Sequence, residues 1–178
     1  MKGLLTNDHR ELGILLEQLF ASFDTGVAIS VYEKLDVFWA RLAMHIRAEH
    51  LHLFPAILNV VESKNTEAEK GIVPHIESTR KTIKNLHDDH DFFMRELAVA
   101  VKQMRNICES ENPNNAEKLQ PVREIVTNVS QRLKSHNQVE EMLVYRWAEN
   151  LLLPAECWVL DEQILNELEK LPPRLREN

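Results

Sequence analysis

Four long stripes of apolar residues, each recurring at steps of three and four, constrain this chain more than anything else in it. The first stripe is Leu5, His9, Leu12, Leu16, Leu19 and Phe23. The second is Val31, Leu35, Phe38, Leu42, His45, Glu49 and then His52 or Leu53. The third is Ile76, Thr79, Ile83, Leu86, His90, Phe93, Leu97, Ala100, Met104 and Ile107, and the fourth is Val122, Ile125, Val129, Leu133, His136, Glu140, Leu143 and Trp147. Such spacing puts one row of side chains on one helix face, the seam of a helix in a bundle. The expectation is an all-α fold. It comprises an up-and-down four-helix bundle over residues 1–150, then a short additional C-terminal helix and tail over 151–178.

The breaks agree with that division. Asp24-Thr25-Gly26 ends the first helix, and Gly71 and Pro74 bracket the third, proline being tolerated in a first turn. Glu109 to Asn115 reads as a loop. Pro121 leaves two readings: the fourth helix begins there, or it begins near Asn115 and kinks. After Pro154, the residues Trp158, Ile164, Leu165 and Leu168 form a shorter amphipathic segment that caps the bundle or meets a partner, and Pro172-Pro173 closes it. No internal repeat, low-complexity tract or second domain is expected.

The charge balance narrows the function. A net charge of −7 without clustered Lys or Arg excludes nucleic acid and anionic membrane surfaces as partners. No run of about 18 apolar residues exists to span a bilayer, and MKGLLTNDHRELG lacks the apolar core of a signal peptide. Cys108 and Cys157 stand apart with no CxxC spacing, so two free thiols in a cytoplasmic protein are expected.

Six polar residues interrupt the seams: His9, His45, Glu49, His90, His136 and Glu140. Between neighbouring antiparallel helices, residues equally far from the connecting turn share one height. Counted from Gly26 and Pro113, the four histidines fall at one common level to within about half a helical turn. His45/Glu49 and His136/Glu140 are also i,i+4 pairs, which present imidazole and carboxylate on one face. Two buried carboxylates without partners would cost several kcal/mol each. A pair of divalent cations removes that cost, and imidazole with carboxylate suits iron, manganese or zinc. Two octahedral ions offer roughly twelve coordination positions, and these side chains fill about eight. Room remains for a small ligand such as dioxygen or nitric oxide.

The remaining candidates are weaker. His50 is expected to face solvent, while His52 and His87 are open as supporting groups or further ligands. His75 is expected to have no function, and Glu141 to be a surface or supporting group. Tyr32, Tyr145, Trp39 and Trp147 read as core or rim aromatics. HExxH and the phosphate-binding and nucleophile motifs are absent, and in the two seam pairs His precedes Glu by four residues, unlike the ferritin-like Glu-x-x-His order in which Glu comes first by three.

The ordered set of His9, His45-x-x-x-Glu49 followed by Leu53-Phe54-Pro55, then Asp89-His90, then His136-x-x-x-Glu140 resembles the hemerythrin family of HHE cation-binding domains. The resemblance spans residues 1 to about 150. It implies an up-and-down four-helix bundle with a non-haem di-iron centre, four terminal histidine ligands, and Glu49 and Glu140 as bridges. The oxygen-carrying members have HxxxH on the third helix and HxxxxD on the fourth. The four-histidine, two-glutamate set here is more similar to iron-sensing and iron-centre-repair members. The functions implied are sensing or binding of iron, dioxygen or nitric oxide. The alternative is a di-iron enzyme acting on nitric oxide or peroxide, or an iron donor to iron–sulfur centres. A homodimer is compatible with this reading.

Overall fold

The computed structural model describes residues 3–64, 73–172 and 175. Gly71, expected to bracket the third helix, lies outside them, as do Pro173 and most of the tail. The chain is all-helical: α1 Leu4–Thr25, α2 Ala28–Ala48, α3 Phe54–Lys64, α4 Ile76–Cys108, α5 Ala116–Val139, α6 Tyr145–Leu151 and α7 Pro154–Leu168. No β-strand occurs among the described residues. Two wide π-helical turns, Glu49–Leu53 and Glu140–Val144, join α2 to α3 and α5 to α6 without interrupting the helical path. No helix among the described residues is long and apolar enough to cross a membrane.

α1 packs along α2, α2 on α4, α4 on α5, and α5 back on α1. The α1–α2 turn closes with Gly26 in the left-handed region (φ 70°), where a glycine carries no Cβ penalty. Ala28 N–H donates to Asn114 Oδ1 at 3.0 Å, and Arg123 pairs with Asp24 at 2.8 Å. These bonds hold the α1–α2 turn and the α4–α5 loop at the same end of the molecule. α5 begins at Ala116, with the Asn115 side chain accepting from Glu117 N–H at 2.9 Å, so Pro121 lies inside the helix.

The apolar seams gather into two cores. One, on the side of the turns, contains Leu12, Leu19, Phe38, Leu42, Phe93, Leu97, Val129 and Leu133. The other contains Leu5, Leu53, Ile57, Leu86, Val144, Tyr145, Ala148 and Ile164. In sequence, α1 and α4 and the continuous helical paths of α2–α3 and α5–α6 each pass from one core to the other through the level of the six polar seam residues.

Beyond that level the expected register fails. A π turn holds about one residue more than an α turn, so each later side chain rotates off the stripe. Leu143, expected on the seam, is 42% exposed, and Val144 is fully buried in its place. Of His52 or Leu53, it is Leu53 that enters the core. The same widening carries the second helix through Pro55 to Lys64, beyond the expected end. Phe54 N–H bonds Glu49 O, five residues back, and the wide turn accommodates a proline that lacks an N–H. α7 packs on α2 and the first π turn. Its buried face is Leu160, Ile164, Glu167 and Leu168, whereas the expected Trp158 and Leu165 are exposed.

Candidate metal centre

All six seam residues meet in one buried layer. His9, His45, Glu49 and Glu140 offer ligand atoms within 4.8 Å of one another, and so do Glu49, His90, His136 and Glu140. The two groups share both glutamates. Glu49 Oε1 lies 3.6 Å from His45 Nε2, and its Oε2 lies 3.4 Å from His90 Nε2. Glu140 Oε2 lies 3.3 Å from His9 Nε2, and its Oε1 lies 2.9 Å from His136 Nε2. Each carboxylate therefore turns one oxygen toward the His9/His45 side and the other toward the His90/His136 side. That is the disposition of a carboxylate that spans two cations.

The outer nitrogens are held just as systematically. His45 Nδ1 meets Asp8 Oδ2 at 2.8 Å, and Arg41 holds Asp8 at 2.7 Å. His136 Nδ1 meets Asp89 Oδ2 at 3.1 Å, and Arg132 holds Asp89 at 2.5 Å. His9 Nδ1 meets Glu141 Oε1 at 2.8 Å, and His90 Nδ1 meets His50 Nε2 at 2.7 Å. Every Nδ1 is thus engaged, leaving every Nε2 to face the centre. Partners of this kind fix ring orientation and tautomer in metal sites.

The metal-free charges follow from this packing. Burial and the facing Glu140 carboxylate push Glu49 well above the usual carboxylate range, so it is a neutral acid. Burial also raises Glu140, but His136, His9 and His90 outweigh it and hold Glu140 well below that range, ionised. Burial depresses His9 and His136, yet Glu140 and the outer carboxylates Glu141 and Asp89 lift both above 6.5. His90, depressed mainly by burial, titrates at about 4. The tautomers inferred from these partners make His9 the donor to His45 Nε2 at 3.1 Å and His136 the donor to His90 Nε2 at 2.8 Å. Protons hold the two histidine pairs where cations would.

The fit to cations rests on the carboxylate oxygens. Glu49 Oε2 and both oxygens of Glu140 are buried and make no hydrogen bond of acceptable direction, although imidazole nitrogens lie close by. Buried polar atoms left in this state are costly. A cation between oxygen and nitrogen satisfies both without a shared hydrogen, and borderline nitrogen with hard oxygen suits iron, manganese or zinc.

Sequence reasoning misplaced several supporting groups. His50, expected in solvent, is half-buried against His90. His87 stacks on His50 with ring centroids 3.9 Å apart and belongs to neither ligand group. His52 points to Glu167, 3.9 Å away, outside the centre. His75 caps α4, its side chain accepting from Glu77 N–H. Tyr145, read as a core aromatic, donates its hydroxyl to Glu49 Oε1 at 2.9 Å and lies 3.1 Å from His9 Nε2. The π turn hid it: the straight stripe runs through Leu143 and Trp147, on either side of it.

The expectation of no internal repeat also needs correction. Arg41-Leu-x-x-His45-x-x-x-Glu49 and Arg132-Leu-x-x-His136-x-x-x-Glu140 are one pattern written twice, each preceded by an Asp-His doublet at 8–9 and 89–90. Each doublet gives its histidine to the centre and its aspartate to the histidine of the following motif. The residue after each shared glutamate, His50 or Glu141, anchors the doublet histidine of the other half. The roles are visible only once the helices are packed. Comparison with family models, characterised proteins and solved structures finds no match to this chain.

Proposed function

We propose that the chain is a non-haem di-iron protein of hemerythrin-like, up-and-down four-helix architecture, which binds a small diatomic ligand, dioxygen or nitric oxide, and signals its presence or that of iron. The observation that carries the reading is the pair of four-donor groups sharing Glu49 and Glu140, with one oxygen of each glutamate toward each histidine pair. His9, His45, His90 and His136 would hold the ions terminally through Nε2. Bound iron would supply electron exchange with the small ligand. Manganese or zinc are the other ions this donor set would accept. Two free thiols, Cys108 and Cys157, support a reducing, cytoplasmic setting.

The test is anaerobic loading with ferrous iron, followed by optical spectra before and after air or nitric oxide. A new visible absorption at one ligand per two irons is expected. An unchanged spectrum would remove the ligand-binding reading, and multiple turnover of nitric oxide or peroxide in stopped flow would replace sensing with catalysis.

A further inference from the structure

The repeated motif makes the two halves of the centre comparable position by position, and they differ where it counts. Around the His9/His45 side, both outer nitrogens rest on carboxylates, Glu141 and Asp8. Around the His90/His136 side, one rests on the Asp89 carboxylate and the other on the imidazole of His50. A carboxylate partner makes the ligating imidazole a better electron donor than an imidazole partner does. The second difference lies five residues after each shared glutamate. Tyr145 brings its hydroxyl to 3.1 Å from His9 Nε2, whereas its counterpart Phe54 carries no polar atom and stacks on His90 with centroids 6.1 Å apart. A polar oxygen therefore stands over one cation position, and only an apolar ring over the other.

We propose that the two cation positions are unequal: the His9/His45 position holds its ion firmly under Tyr145, and the His90/His136 position is the weaker, exchangeable one that admits the exogenous ligand. This rests on the two-cation reading above. His50 and Glu141 act as positioning residues, through the histidines they hold. Tyr145 reserves the His9 side by occupying the space an incoming ligand would need.

Calorimetric titration of the metal-free full chain with zinc(II), paralleled by cobalt(II) absorption, tests this at a fixed neutral pH. Two steps differing by at least about tenfold are expected, since supporting partners of this kind are worth about 10- to 100-fold in affinity. Asp8→Asn should weaken the first step alone, and Asp89→Asn the second alone, which assigns each step to its side. His50→Glu should tighten the second step and narrow the gap, while His50→Gln, which adds no charge, should not. Azide, as a small anionic probe, should perturb the spectrum only after the second equivalent of cobalt. In Tyr145→Phe it should perturb the first equivalent as well.

Two equal steps, one merged step, a reversed assignment by the aspartate variants, or an azide response at the first equivalent in the unmodified protein would each overturn the inequality while leaving a two-cation centre intact. No binding of either ion would instead overturn the centre itself.

Discussion

The two apolar cores on either side of the polar layer are built by the same helices under different rules. On the side of the turns, Leu12, Leu42, Phe93 and Leu133 follow straight α-helical spacing, and Phe93 sets its ring against His136 with centroids 5.2 Å apart. On the far side, Leu53, Val144, Tyr145 and Ala148 are buried only because a π turn has rotated the helix first. Both π turns begin at the shared glutamates. A wide turn is a poor way to continue a helix and tends to occur where a site requires it. The difference teaches that the far core takes its register from the π turns at the centre, while the near core keeps plain α-helical register.

The largest effect should come from the layer itself. Glu140→Ala should drop iron from two per chain to well below that. It should also abolish the metal-dependent stabilisation of about 3 to 4 kcal/mol expected at a hundred to a thousand times the dissociation constant. Elemental analysis and thermal unfolding with and without iron check both, and His45→Ala should behave alike. Unchanged iron in either variant would break the assignment.

Next comes the register of the far core. Val144→Asp buries an unpaired charge and should cost several kcal/mol. Leu143→Asp, on a side chain 42% exposed, should change stability by less than about 0.5 kcal/mol. The reverse order in denaturant unfolding would restore the straight stripe and remove the π turn. On the near side, Phe38→Ala should cost about 3 to 5 kcal/mol equally with and without metal.

A smaller effect separates the metal-free from the metal-loaded layer. Glu49, His9 and His136 keep protons in the folded chain that the unfolded chain releases, because all three are raised. Their contribution is present at lower pH and is lost as pH rises through the folded values. The metal-free protein should therefore lose stability as pH rises, Glu49 contributing to the fall above 4.5 and His9 and His136 above 6.5. The loaded protein should not, since cations require those ligands deprotonated. His90 and His50, both depressed to about 4, act in the opposite sense, but only between about 4 and 6.5. Glu49→Gln should flatten the metal-free slope while changing its stability by only about 1 kcal/mol. Parallel pH profiles for wild type and variant would contradict the neutral acid at Glu49.

Much of this was legible in the sequence, for identifiable reasons. The six seam residues stand out because His9, His90 and the two His-x-x-x-Glu pairs replace apolar side chains at otherwise regular spacing. Their common level follows from counting along helices of fixed rise. What the stripes could not carry was any change of pitch. Tyr145, the buried Val144 and the helix running through Pro55 all follow a π turn, and no local residue preference announces one. The supporting groups Asp8, Asp89, Glu141 and His50 lie one residue from a ligand, off the seam. There they read as surface until the neighbouring helix arrives. Their repetition in two halves was in the sequence, but its meaning depends on which helix each side chain crosses to.

Anomalous diffraction at the iron edge, from crystals of the anaerobically loaded chain, addresses the central claim most directly. Two iron peaks are predicted, one about 2 Å from Nε2 of His9 and His45 and the other from Nε2 of His90 and His136, each also touching one oxygen of Glu49 and one of Glu140. Glutamates and histidines turned away from one another, with no iron between them, would contradict it.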